Sequence, residues 1–327
     1  MKVFKTLILL MSLALIACKQ GEEAKPATSA QATDAEVPVL QKSVRAGETQ
    51  FLETSFGKVA FIEKGEGPVT ILFIHGNSAS KSIFSKQFES SLADRYHLVA
   101  FDLPGHGESD NAKEPQNTYT IQSYAKLVGE LANTLQLEPL VLVGWSLGGH
   151  IAIEAAAQGL PLAGIVISGT PPVGPGVEHM GEAFIPSESM GLTGKPDFTD
   201  EEVVAFANEG MGGAEFVNDG ILKAVARTDG IARQTMLTDW STPGAGHEHR
   251  PFVAQWPQPI AVLQGEEDAF VSGDYLRSLE WKNLWRGEIQ FFAGIGHAPF
   301  WQAPEQFNEL LEDFLEDLGY HSKGEPQ

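Results

Sequence analysis

Short, unbroken apolar runs recur along this chain at 69–74, 98–101, 140–143, 165–167, 260–263 and 289–292, with amphipathic helical stretches between them. A strand that is apolar without alternation must be buried on both faces, which happens in a mostly parallel sheet covered by helices on each side. The stretch 121–135, the segment after Ser146 and the stretch 304–318 supply that cover. In the last of these, Phe307, Leu310, Leu311, Phe314, Leu315 and Leu318 share one helical face. The alternation predicts an α/β architecture with a mostly parallel, doubly wound sheet. Ahead of it, Phe51-Leu52 and 59–62, split by Ser55-Phe56-Gly57, read as an antiparallel hairpin.

The rhythm breaks once. Between the run ending at Ser168 and the one starting at Ile260 there is no buried-strand pattern, only Gly, Met and weakly amphipathic pieces at 201–210 and 220–237. Residues 173–257 are therefore expected to form a helical cap inserted between two core segments, 46–172 and 258–320.

Gly144-Trp145-Ser146-Leu147-Gly148-Gly149 follows the run 140–143 and opens a helix. A Gly-x-Ser-x-Gly turn between strand and helix needs its glycines because the serine backbone is strained and strand and helix must approach closely. Ser146 is the candidate nucleophile. A serine hydroxyl needs a base, and the order expected for such a turn is Ser, then acid, then His. His297, in Gly294-Ile295-Gly296-His297-Ala298-Pro299, follows the last apolar run and is the candidate base. The acid belongs after 260–263, where Gln264-Gly265-Glu266-Glu267-Asp268 offers three carboxylates. Asp268 is chosen to orient His297, with Glu267 as the fallback. Charge developing on a carbonyl oxygen needs donors. The Leu147 backbone N–H is one, and Asn77, in His75-Gly76-Asn77-Ser78, is the candidate for the second through its backbone or its side chain. His75 and His106 read as loop-holding residues. His247-Glu248-His249 lacks the further ligands of a metallohydrolase, so no metal is expected.

Charge narrows the partners. Twenty-two Lys plus Arg against 43 Asp plus Glu leave a formal net charge of −21, which repels phosphate backbones and argues against nucleic acid. The single Cys excludes an intramolecular disulfide and a multi-thiolate metal site. That Cys ends residues 1–18, which carry Lys2 and Lys5, an apolar run over 7–17 and Leu15-Ile16-Ala17-Cys18, the pattern of an export signal. The segment resembles a bacterial lipobox, which implies acylation of Cys18. Residues 19–45, rich in Ala, Glu, Thr, Ser and Pro, read as a disordered tether. The expected location is therefore exported and lipid-anchored to a bacterial envelope membrane, the anchor being the sole membrane contact. Lys19 after the Cys favours the outer membrane by family rule if the host is Gram-negative.

The set His75-Gly76-Asn77-Ser78, Asp102-Leu103-Pro104-Gly105-His106-Gly107, Gly144 to His150, Ser168-Gly169-Thr170-Pro171-Pro172-Val173, Ala226-Arg227-Thr228-Asp229-Gly230 and Gly296-His297-Ala298-Pro299-Phe300 resembles the α/β-hydrolase superfamily. It is closer still to that fold's metal-independent serine N-acyl-homoserine lactonases. The resemblance covers roughly 55–317, insertion included. It implies the α/β-hydrolase fold, no cofactor, a small-molecule acyl ester or lactone as substrate, ring opening by Ser146 and a cap that forms the acyl-chain pocket. A carboxylesterase acting on small acyl or methyl esters would use identical machinery. A non-catalytic binding protein that kept the triad is the rival of another class.

Overall fold

The computed structural model describes residues 47–177 and 180–321. The export signal, Cys18, the tether to 45 and His179 lie outside the described residues.

Eight strands form one sheet in the order β1-β2-β4-β3-β5-β6-β7-β8. β1 (Gln50–Thr54) and β2 (Gly57–Lys64) make the expected antiparallel hairpin, and β2 joins β4 (His97–Phe101) antiparallel. From there all pairings are parallel: β3 (Thr70–Ile74) lies between β4 and β5 (Leu140–Trp145), followed by β6 (Gly164–Ser168), β7 (Ile260–Gly265) and β8 (Gln290–Phe292). The expected mostly parallel, doubly wound sheet is present.

The apolar runs lack alternation because each strand feeds two cores. Leu72 and Ile74 of β3 pack with Leu142, Ile165 and Val262 under the helices Ile121–Thr134 and Leu147–Ala157. Ile71 and Phe73 point the other way, joining Val143, Val166 and Leu263 beneath the helix Pro304–Asp317. Phe307, Leu311, Phe314 and Leu315 of that helix are buried, and Leu310 and Leu318 pack partly buried at its margin. Thr120 starts the helix Ile121–Thr134 by accepting a hydrogen bond from Ser123 N at 3.1 Å.

Between β6 and β7 the described residues are helices and loops, apart from an isolated bridge between Phe184 and Val271. The piece expected at 201–210 is the helix Asp200–Met211, held at its start by a Thr199/Glu202 capping box. The piece expected as one helix over 220–237 is two, Asp219–Arg227 and Gly230–Trp240. Asp229 causes the break. Its backbone N–H donates to Gly105 O at 2.8 Å and its carboxylate accepts from Tyr119 Oη at 2.7 Å, so tertiary contacts to the core loop replace a helical hydrogen bond. Arg227 donates to Ser109 O at 2.8 Å and to Asn111 Oδ1 at 3.0 Å. The Ala-Arg-Thr-Asp-Gly run is thus one fastening between insertion and core.

Strand order reverses at β3, whose neighbours lead away on either side. The loops after β3 and β5 therefore diverge at the carboxyl edge of the sheet and leave a crevice there, where open α/β sheets take their ligands. Asn77 follows β3 and Ser146 follows β5.

Candidate active site

Ser146 stands at the end of β5 with φ 54° and ψ −118°, a left-handed conformation that a β-carbon normally avoids. Its surroundings hold it there. Ser146 N donates to Ser168 O at 2.8 Å, and Thr170 Oγ1 donates to Ser146 O at 2.9 Å. A β-carbon at Gly148 would strike the backbone of Ile74 and His75, so strand and helix meet here only because that position is bare. The Ser-Gly-Thr-Pro-Pro run thus braces the turn from the neighbouring strand.

His297 and Asp268 come from the loops after β8 and β7. His297 Nδ1 donates to Asp268 Oδ2 at 2.8 Å, and both residues are buried. Asp268 Oδ1 accepts from Phe270 N at 2.8 Å and Val271 N at 3.1 Å, and Oδ2 also accepts from Gln264 Nε2 at 2.7 Å. Burial opposes the Asp268 charge, but His297 and the hydrogen bonds from His297, Phe270 N and Gln264 outweigh it and hold the carboxyl below its ordinary range. Asp268, and not Glu267, reaches the imidazole. Glu266 and Glu267 are exposed, and their backbone N–H groups are tied to Phe292 O and Ile295 O.

Ser146, His297, Leu147 and Asn77 line one cavity of about 350 Å³. Among the described residues the Ser146 hydroxyl makes no hydrogen bond to the protein; in resting hydrolytic sites such contacts often form only with substrate bound. The side chain of Asn77 is already committed, since Nδ2 donates to Thr193 O of the insertion at 3.0 Å. The residue's remaining donors are the second N–H of that amide and its backbone N–H. Neither that backbone N–H nor the one on Leu147 donates to a protein group among the described residues. Buried Arg233 steadies the same loop from the insertion, reaching Ser78 Oγ at 3.3 Å, Lys195 O at 2.9 Å and Pro196 O at 2.9 Å.

Supporting residues escaped the sequence reading. Gln264 joins two loops, donating to Asp268 while its Oε1 accepts from Gly169 N at 3.1 Å. An isolated amide at the end of an otherwise apolar strand was its signal in the sequence. Trp145 Nε1 donates to His297 O at 2.9 Å, and Phe270 stands edge-on to the imidazole at 4.9 Å. Gly169, at φ 58°, must be bare, because a β-carbon would lie 2.6 Å from His297 Cε1. His75 and His106 hold loops: His75 Nδ1 donates to Gly76 O, its Nε2 accepts from Leu103 N, and His106 Nδ1 donates to Pro104 O. Burial pushes both rings below the ordinary histidine range.

No group of three or more His, Cys, Asp or Glu among the described residues is arranged to hold a metal ion. His247 and His249 both turn onto Glu154 of the helix Leu147–Ala157. No helix among the described residues is long and apolar enough to cross a membrane.

The model of the Alpha/beta hydrolase family matches residues 71–310. The chain belongs to the α/β-hydrolase family. Within it, this hydrolase is 37% identical to the N-acyl homoserine lactonase AidH, solved as a mutant complexed with N-hexanoyl homoserine lactone; the match covers 83% of this chain and 98% of that one with a TM-score of 0.79. It is also 26% identical, over 79% of this chain and 91% of the relative, to a 2-hydroxy-6-oxononadienedioate/2-hydroxy-6-oxononatrienedioate hydrolase of Paraburkholderia phymatum. An esterase from Rhodococcus sp. ECU1013 shares the fold, with a TM-score of 0.70 at 21% identity, covering 84% of this chain and all of that one. The resemblance read from the motifs agrees with these neighbours, and the hydrolase has lactonases and esterases beside it.

Proposed function

We propose that this hydrolase opens the ring of N-acyl-homoserine lactones through an acyl-enzyme on Ser146. The observation that carries the reading is the cavity: its floor is Ser146 and His297, and its walls are largely apolar side chains of the insertion, Met180, Phe184, Phe206, Met236 and Trp240 among them. Such walls suit an acyl chain, and the match to AidH, complexed with such a lactone, covers 83% of this chain and 98% of that one.

The placement of the groups supports the following chemistry. Ser146 Oγ attacks the lactone carbonyl as His297 Nε2 takes its proton, and the N–H groups of Leu147 and Asn77 receive the developing oxyanion. Collapse breaks the ring C–O bond, and His297 returns the proton to the departing alkoxide. That alcohol stays tethered to the acyl group, so water must compete with ring closure to free the enzyme. His297 then deprotonates the attacking water and passes that proton to Ser146 Oγ as its bond to the acyl carbon breaks, which frees N-acylhomoserine and restores the enzyme.

The deciding measurement is turnover of N-hexanoyl homoserine lactone beside p-nitrophenyl esters, using the fragment from about Val44. Lactone opening far faster than ester cleavage is the expected outcome. Cleavage of the esters alone would replace the lactonase by a general carboxylesterase, and a Ser146 inert to a fluorophosphonate probe would favour a binding protein.

The same enzyme is proposed to be lipid-anchored through Cys18. Full-length protein expressed in a bacterium should sediment with membranes and label with a fatty-acid analogue, and Cys18→Ala should lose the label. An unlabelled wild-type chain would reject the anchor. Multiple acyl chains, at ~0.8 kcal/mol per buried CH₂, suffice for stable attachment.

A further inference from the structure

His150 lies one helical turn beyond Ser146 and lines the same cavity. It is 6% exposed, and its Nε2 makes no hydrogen bond to the protein among the described residues. Behind it runs a chain of polar contacts. His150 Nδ1 faces His249 Nδ1 at 3.5 Å, and His249 Nε2 lies 3.4 Å from Glu154 Oε2. Glu154 also accepts from Gln158 Nε2 and from the half-exposed His247. Burial works against the Glu154 charge, but hydrogen bonds from His249, Gln158 and His247 outweigh it and hold the carboxyl at about 2.

That carboxylate sets the tautomers in sequence. An ionised carboxylate can only accept, so His249 Nε2 carries a proton. In a neutral ring the His249 Nδ1 is then a lone pair, and the proton between the two rings belongs to His150 Nδ1. What remains at His150 Nε2 is a lone pair facing the cavity. Burial holds both rings below the ordinary histidine range, consistent with neutral imidazoles. Trp240 packs on both, 5.6 Å from His150 and 4.9 Å from His249, and fixes their planes.

We propose that His150 Nε2 is a specificity-determining acceptor for an N–H that the substrate carries on the carbon next to its scissile carbonyl, the position of an acylamino group. The proposal rests on the reading that Ser146 attacks a carbonyl in this cavity. A substrate with an ester oxygen at that position would set lone pair against lone pair and leave the imidazole desolvated without a partner, the situation in which a buried site discriminates most strongly. Glu154 and His249 are positioning residues, acting through the tautomer of His150.

The test compares matched substrate pairs. N-hexanoyl homoserine lactone is set beside α-hexanoyloxy-γ-butyrolactone, and methyl N-hexanoylglycinate beside methyl hexanoyloxyacetate, scored by ring opening or methanol release. The readout is the kcat/KM ratio of amide to oxygen analogue in the variant divided by that ratio in wild type, which cancels intrinsic reactivity and general damage to the fold. His150→Leu is expected to reduce the ratio by about tenfold, the scale of one hydrogen bond in a dry site, and His150→Gln, which keeps an acceptor, to restore most of it. If His150→Leu does not fold, His150→Phe reads the same ratio. An unchanged ratio in the folded variant, or a wild type with no preference in either pair, overturns the proposal. If the lactones are inert but the linear pair shows the preference and its loss, the acceptor role stands and the lactonase reading falls.

Discussion

Ser146→Ala should abolish turnover while leaving the protein folded. The expected fall in kcat is ~10⁶-fold, the scale seen when the nucleophile of a serine hydrolase is removed. The fold should survive because the Ser146 side chain caps no helix and makes no hydrogen bond to the protein among the described residues. What holds the turn is backbone, through Ser168 O and Thr170 Oγ1, and alanine keeps it. Active-site titration with a fluorophosphonate and a thermal melt check the two halves separately. A variant that keeps one hundredth or more of the wild-type rate, with an unchanged melt, would mean that another group attacks the substrate.

Asp268→Asn is the second large effect, ~10⁴-fold in kcat by analogy with the same change in other triads. All the partners of this carboxylate are donors: two backbone N–H groups on Oδ1, and Gln264 Nε2 and His297 Nδ1 on Oδ2. An asparagine that keeps its oxygen on the backbone pair turns its NH₂ toward Gln264 and His297. The imidazole then accepts at Nδ1 and carries its proton at Nε2, where it cannot take one from Ser146. Substrate binding depends on the cavity walls, so KM should change far less than kcat. Equilibrium unfolding against pH gives a second check. The folded-state pKa of Asp268 is depressed, so its stabilising contribution is complete above the unfolded value of ~3.9 and is lost as pH falls through the folded one. The Asn variant should lack that acid-side slope. A variant with wild-type kcat would assign the orienting role elsewhere, with Glu267 the first alternative.

The core was legible for a physical reason. A strand with helices on both faces has no solvent side, so 69–74 or 260–263 announces itself as a solid apolar block. The turn at Ser146 was legible because backbone strain and close packing demand glycine at particular positions. Asp268 was separable from Glu267 only by its distance past Gly265, and the structure brings Asp268 to the imidazole while Glu267 stays exposed. The split of 220–237 at Asp229 was not legible, because the contacts that cause it, to Gly105 and Tyr119, are distant in sequence. The commitment of the Asn77 side chain to Thr193 escaped for the same reason.

By itself the sequence determined the mostly parallel sheet, the order of Ser146, Asp268 and His297 along it, and the strained turn at Ser146. These are written in local periodicity and in glycines whose need is local. Only the tertiary structure decided that the Asn77 side chain is tied to Thr193, how Gln264 braces Asp268, and that His150, His249 and Glu154 form one chain behind the cavity wall. Those depend on side chains from separate segments meeting at hydrogen-bond distance, and no local pattern encodes which distant donor a buried acceptor will find.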